Sequence, residues 1–493
     1  MMMRARTGVA VCAAGVILAI VPGSGRAQTL RYSNHREVQI PDYALLRIGP
    51  FYSNLAFSQS VGYRYSRSSG RGTEYLSDNE RGAIVEDGTE FPLISVFTMR
   101  NYLLISRRMD LDLSVSASYA YYPRDTQEGG WQVFLPEEGV SVGLSSEFML
   151  TPFVRGTMFD NMLYRTDFVD TRGLTDYYGG ERYVYFNNVA GVNLDWLMAK
   201  NQNMALSVSR EDMLPRDAEF EDQERTSYRE SAMYQYELLS GLVVGGGAAF
   251  VQHHYVSTGR VDMSQQDYFV TAGLARGAGF PLTDSTTASL KLGYSRAATA
   301  SRRSGTDETG RDVTASDNPQ AEAMSVEVGL NTAMTKEISQ TISFSKGLRT
   351  GFVSPIERYE GWHYQLGWHG TDASASLWMG LTIVDPEGGG LAGRYDDWSR
   401  GVNITLPAGR VVKVTASSTY SDRVNLDNTA DGLPLETTAD YATWTSTLGV
   451  GVPITKSINF NAGVAHIERI SDEESLTYTR DVVEATLTYS KQF

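Results

Sequence analysis

The stretch Thr443-Trp-Thr-Ser-Thr-Leu-Gly-Val-Gly-Val-Pro-Ile-Thr-Lys-Ser-Ile-Asn-Phe-Asn-Ala-Gly-Val-Ala465 decides how the whole chain reads. Successive side chains of a strand point to opposite faces. Trp444, Leu448, Val450, Val452 and Ile454 therefore share one face, and Thr443, Thr445, Thr447, Gly449 and Gly451 the other. Beyond Thr455-Lys456 the alternation resumes, with Ile458, Phe460, Ala462 and Val464 set against Ser457, Asn459, Asn461 and Gly463. This is a β-hairpin with one apolar face and one small, polar face.

The same unit recurs outward in both directions. Val140, Val142, Leu144, Phe148 and Leu150 alternate with Ser141, Gly143, Ser145 and Glu147, and Leu111, Leu113, Val115, Ala117, Tyr119 and Tyr121 with Asp112, Ser114, Ser116 and Ser118. Val184 to Trp196, Met324 to Leu330 and Val412 to Ala416 repeat it. A face of Ser, Thr, Gly, Asn and charge suits water and not a packed core. The longest apolar run, Leu238 to Val251, contains Gly241, Gly245, Gly246 and Gly247, which suit a helix interior poorly.

Connections alternate in length. Arg107-Arg108, Thr151-Pro152, Thr283-Asp284, Lys336-Glu337, Thr371-Asp372, Ala408-Gly409 and Thr455-Lys456 are short. Ser68–Phe91, Pro123–Glu138, Asp212–Thr226, Ala298–Gln320, Asp385–Asp396, Arg423–Asp440 and Ile470–Thr479 are long and polar. Short turns at one end and long loops at the other are the pattern of outer-membrane barrels. The expected fold is all-β: a transmembrane antiparallel up-and-down barrel of about twenty strands over 55–493, with eighteen as the alternative count.

Residues 1–27 read as a secretory signal peptide. Arg4 and Arg6 precede an apolar run from Gly8 to Val21, and Gly25-Arg26-Ala27 offers a cleavage site before Gln28. Residues 28–54 are expected to form a periplasmic N-terminal segment, too short for a folded plug. Removal of the signal leaves 493 less 27, or 466 residues, and takes Cys12, the one cysteine, with it. Three arginines leave too, so the net charge of −15 becomes −18. Disulfide and thiol chemistry are thereby excluded, and the acidic balance argues against a nucleic-acid partner. Six histidines and no ligand-spaced motif imply no metal and no cofactor.

The last strand places Val483, Ala485, Leu487, Tyr489 and Phe493 on one face. A terminal strand ending in Phe resembles the signal of Gram-negative outer-membrane barrels, with Lys491 standing where an aromatic is common. That resemblance implies the outer membrane as location. It also implies outer-membrane lipid, lipopolysaccharide and the barrel assembly machinery as partners, with Tyr489 and Phe493 as the assembly signal. The stretch Arg47-Ile-Gly-Pro-Phe-Tyr-Ser-Asn-Leu-Ala-Phe-Ser-Gln-Ser-Val-Gly-Tyr63 resembles the opening of the β-barrel porin-2 family. Some members of that family are tied to exopolysaccharide export loci, which implies polysaccharide export components as further partners.

Charges that alternate with apolar residues locate the candidate site. Arg64, Glu147, Asp195, Glu237, Lys291, Glu327, Lys413 and Glu484 would each be costly facing lipid, about 2–4 kcal/mol for a Lys or Arg at mid-depth, and cheap facing a wet lumen. They are the expected pore-lining residues, with mixed signs that suit pairing across the lumen. Tyr63, Tyr65, Tyr119, Tyr121, Trp196, Trp362, Trp368 and Trp444 read as an interfacial girdle. His253, His254, His363 and His369 lack any G-x-S-x-G or H-E-x-x-H context, so no catalytic residue is assigned. The acidic groups Asp217–Glu224 and Asp472–Glu474 lack calcium-loop spacing. The expected function is a passive porin-like conduit for polar solutes, with exopolysaccharide as one cargo, and not an enzyme. The alternative is a barrel scaffold carrying a loop-borne activity, an adhesin or an outer-membrane hydrolase.

Overall fold

The computed structural model describes residues 46–69, 88–121, 137–169, 181–216, 224–239, 241–256, 262–275, 285–299, 320–349, 356–387, 394–409, 411–425, 440–472 and 477–492, with short loop pieces at 123–126, 130–133, 429–430 and 433–434. The signal peptide, residues 28–45, the turn Thr283-Asp284, the acidic residues 217–223 and 473–476, and Phe493 lie outside them.

Among the described residues twenty long strands follow one another. They are β1 (Phe51–Ser69), β2 (Leu93–Ser106), β3 (Met109–Tyr121), β4 (Glu137–Thr151), β5 (Val154–Val169), β6 (Glu181–Ala199) and β7 (Gln202–Pro215). Next come β8 (Arg225–Leu239), β9 (Leu242–Tyr255), β10 (Met263–Leu274), β11 (Thr286–Thr299), β12 (Gln320–Ala333), β13 (Ile338–Arg349) and β14 (Ile356–His369). The series ends with β15 (Ser374–Glu387), β16 (Tyr395–Ala408), β17 (Val412–Asn425), β18 (Tyr441–Pro453), β19 (Ile458–Ser471) and β20 (Tyr478–Gln492). Each pairs antiparallel with the next, and β20 closes on β1 from Ala56↔Gln492 to Ser69↔Thr479. Among the described residues closure leaves no open edge across the apolar belt, so backbone groups there find partners without water, as a bilayer demands.

The register carries one face unbroken around the ring. Trp444 and Leu448 stand opposite Tyr420 and Ala416, and the same series passes through Trp362↔Phe344, Val328↔Leu290, Val208↔Val192, Val115↔Met99 and Val61↔Leu487 before meeting Val464↔Leu448. Leu448, Val464 and Leu487 are about half exposed, at 50%, 48% and 47%. So much bare apolar surface on all sides would aggregate a protein in water and instead forms a belt for lipid. Polar pairs cap the belt toward the long loops: the ion pairs Lys346–Glu360 at 2.9 Å and Arg210–Asp212 at 2.8 Å, and the hydrogen-bonded pair His466–Asp481 at 2.7 Å. All eight girdle aromatics belong to this outward series.

Short turns are tied by side-chain oxygens. Thr455 Oγ1 accepts from the amides of Ser457 and Ile458 at 3.1 and 3.0 Å, and Thr335 Oγ1 from those of Glu337 and Ile338 at 3.1 and 2.9 Å. Gly241 and Gly409 take φ of 85° and 83° in two others, a left-handed backbone that suits glycine. The long-loop end departs from the expected boundaries. Asp212 and Thr226 were expected to bound a loop, yet they pair with each other, and β17 runs on through Arg423 to Asn425. These strand tops rise above the lipid belt, where both faces turn polar and the alternation that marks a strand fades.

Candidate functional site in the barrel lumen

The register sets all eight charged candidates on the face opposite the lipid belt. Arg64 stands opposite Glu484 and reaches it at 3.6 Å; Lys291 stands opposite Glu327 at 2.6 Å. Glu147 pairs with Arg155, which itself stands opposite Asp195. Glu237 is drawn to a turn, its Oε1 accepting from the Gly241 amide at 3.0 Å. Lys413 lies between Gly451 and Pro407 on the neighbouring strands. Pairing thus runs between adjacent strands, because strands 4.7–4.9 Å apart bring side chains within reach.

Toward the long loops the wall changes character. Arg423 on β17 is buried, and its Nε and Nη2 donate to the two oxygens of Asp397 on β16 at 2.9 and 3.1 Å. Its guanidinium lies 4.3 Å from the ring centre of Tyr395 and 5.7 Å from that of Tyr441, and Arg469 on β19 covers Tyr441 at 4.2 Å. Arg349 on β13 donates to Glu357 on β14 at 2.8 Å and lies 5.6 Å from the Tyr359 ring. A fork-to-carboxylate pair between aromatic faces is among the strongest polar arrangements a protein makes.

This mouth is narrowed by a second layer. The ladder between β12 and β13 stops at Val326↔Lys346, although β12 starts at Gln320 and β13 ends at Arg349. Beyond that point Leu348 and Ile356 pack in a buried cluster with Met263, Ala297 and Ala321. The last three lie on the lumen face of β10 to β12, as their register with His253 and with each other shows. Gln265 also donates from that face to the Leu348 carbonyl at 3.5 Å. The tops of β13 and β14 therefore pass inside β10–β12, with an apolar seam between the layers. Strict alternation assigns Leu348 and Ile356 to the lipid face, so sequence reasoning missed this seam.

A second buried row crosses β6 to β9. Glu211 accepts from Asn187 Nδ2 at 3.2 Å and Arg229 Nη2 at 3.3 Å, and Ser227 Oγ meets His253 Nδ1 at 2.7 Å. Ser227 is fully buried and Glu211 is occupied by Asn187 and Arg229, so this row braces the wall. His254 points outward to Asp262 at 3.1 Å, while His363 and His369 share the lumen face. Among the described residues no group of three His, Cys, Asp or Glu could hold a metal ion. Asp397, Arg423, Glu211 and Arg229 were missed because they stand at or beside polar stretches read as loops; their signal was even-numbered spacing from the lumen-face residues below them, Arg423 ten from Lys413 and Arg229 eight from Glu237.

No family model and no curated relative matches the chain, so the resemblance of Arg47–Tyr63 to the β-barrel porin-2 family is not upheld, and polysaccharide export components lose their support as partners. Solved structures do match. The FrpB iron transporter from Neisseria meningitidis, in its F3-3 variant, is 10% identical at a TM-score of 0.52, over 92% of this chain and 83% of that one. The F5-1 variant is 9% identical at 0.50, over 89% and 82%. The siderophore receptor PirA from Pseudomonas aeruginosa is 8% identical at 0.47, over 89% and 80%. The reading as a passive conduit, with exopolysaccharide as cargo, is corrected accordingly: the two FrpB barrels matched at 0.52 and 0.50 are described as iron transporters. At such identities the likeness is one of fold, and by it the chain is an outer-membrane β-barrel of about twenty strands.

Proposed function

We propose that this barrel is an outer-membrane transporter that takes up its solute by binding it, an iron-bearing chelate being the cargo the FrpB likeness suggests. The observation that carries this is the narrowed mouth: the tops of β13 and β14 lie inside the wall, and the Arg423–Asp397 pair is buried two strands on. Below the mouth, Arg64, Glu147, Asp195, Glu237, Lys291, Glu327, Lys413 and Glu484 line the path. Their mostly neutralised pairs favour transient contacts over a single-sign filter. The ion-pair rim above the belt suits lipopolysaccharide headgroups, and outward Tyr489 suits reading by the assembly machinery.

The test is uptake of labelled ferric chelates by cells whose own iron-transport barrels are deleted. Expression of this chain is expected to restore saturable uptake of at least one chelate. Leu348→Asp, which splits the apolar seam, is expected to make entry non-saturable. Failure of every chelate, together with steady conductance of small ions in planar bilayers, overturns the proposal.

A further inference from the structure

The lipid belt is not uniformly convex. Between β9 and β14 it holds a groove of about 520 Å³ lined by Leu242, Leu274, Leu290, Leu330, Phe344 and Trp362, among others. These six belong to the outward series, since Leu242 stands opposite Leu274, Val328 opposite both Leu290 and Phe344, and Phe344 opposite Trp362. The floor is low because Ala272 and Ala288 occupy outward positions there, with Gly273, Ser289 and Gly329 contributing backbone. Phe344 and Trp362 form one wall, with ring centres 4.3 Å apart.

The groove's course identifies its occupant. It begins at Leu242 and Leu274, the first and last residues of β9 and β10, beside the short-turn end. It climbs across the strands toward Trp362 within the belt. Short turns face the periplasm in such barrels. A chain entering from that end belongs to the inner leaflet. The groove is continuous with the lipid-facing surface and almost wholly apolar, so it offers a bed for hydrocarbon and nothing to hold a headgroup in its interior. We infer that it seats one acyl chain of a phospholipid from the periplasmic leaflet, held longer than the lipids around the rest of the belt.

Native mass spectrometry of the full barrel, extracted from outer membranes in a mild detergent, tests this. One phospholipid is expected to remain on the wild-type protein. Ala288→Phe and Ala272→Leu, which fill the floor, are expected to reduce the retained fraction at least fivefold. Ala462→Phe, an outward change outside the groove, is expected to leave it unchanged. Heat-modifiable migration in gels verifies that each variant is a folded barrel. Retention of the same lipid by the filled variants, retention of a mass matching lipid A, no retention at all, or a groove-dependent dimer would each overturn the inference.

Discussion

Two ion pairs on the same lumen wall behave as different objects. Lys291–Glu327, midway down, is partly exposed, with side-chain accessibilities of 28% and 33%. Arg423–Asp397, at the mouth, sits at 8% and 8% between two tyrosine rings. In the wet lumen water competes for both charges, and such a pair contributes about 0–1 kcal/mol. At the mouth neither charge can return to water, so the arrangement holds only while both partners are present. On the proposed path the lower wall can therefore exchange partners with a solute, whereas the mouth is a fixed frame.

The largest expected effect breaks that frame. Asp397→Ala leaves Arg423 buried without its carboxylate and should cost about 3–5 kcal/mol, read as a fall in the urea midpoint of the barrel refolded in vesicles. An equal loss from Lys291→Met would erase the distinction between the two regions. Leu348→Ala empties part of the seam between β13–β14 and β10–β12, and about 2–3 kcal/mol should be lost in the same assay. If the midpoint stays in place, the inner layer is not braced by that seam. Lys291→Met itself should change stability by less than about 1 kcal/mol. It should nonetheless leave Glu327 without its partner, seen as a shift in the concentration giving half-maximal chelate uptake. No shift would mean that Glu327 does not face the solute path.

The lower barrel was legible residue by residue. Trp444 to Ile454 and Ile458 to Val464 alternate because one face meets lipid and the other water, and the described hairpin has that register. The eight charged candidates lie on one face for the same reason. The mouth was not legible. Arg423 and Asp397 sit where both faces are polar, so periodicity carries no signal, and Leu348 and Ile356 lie where the sheet doubles over. The stretch Arg47–Tyr63 misled in a different way, since small and aromatic residues opening a first strand are demanded by the barrel and do not single out one family.

The sequence by itself determined the barrel, its approximate strand number, its lipid face and which charges lie opposite that face. Each of these follows from local alternation and from the cost of unpaired backbone or bare charge in hydrocarbon. Only the tertiary structure decided which charges meet, that β13 and β14 fold inside the wall, and that Ala272 and Ala288 fall on a diagonal, each opposite a leucine. Those outcomes depend on register between strands distant in sequence and on where a ladder stops. Neither is written in the period of any single strand.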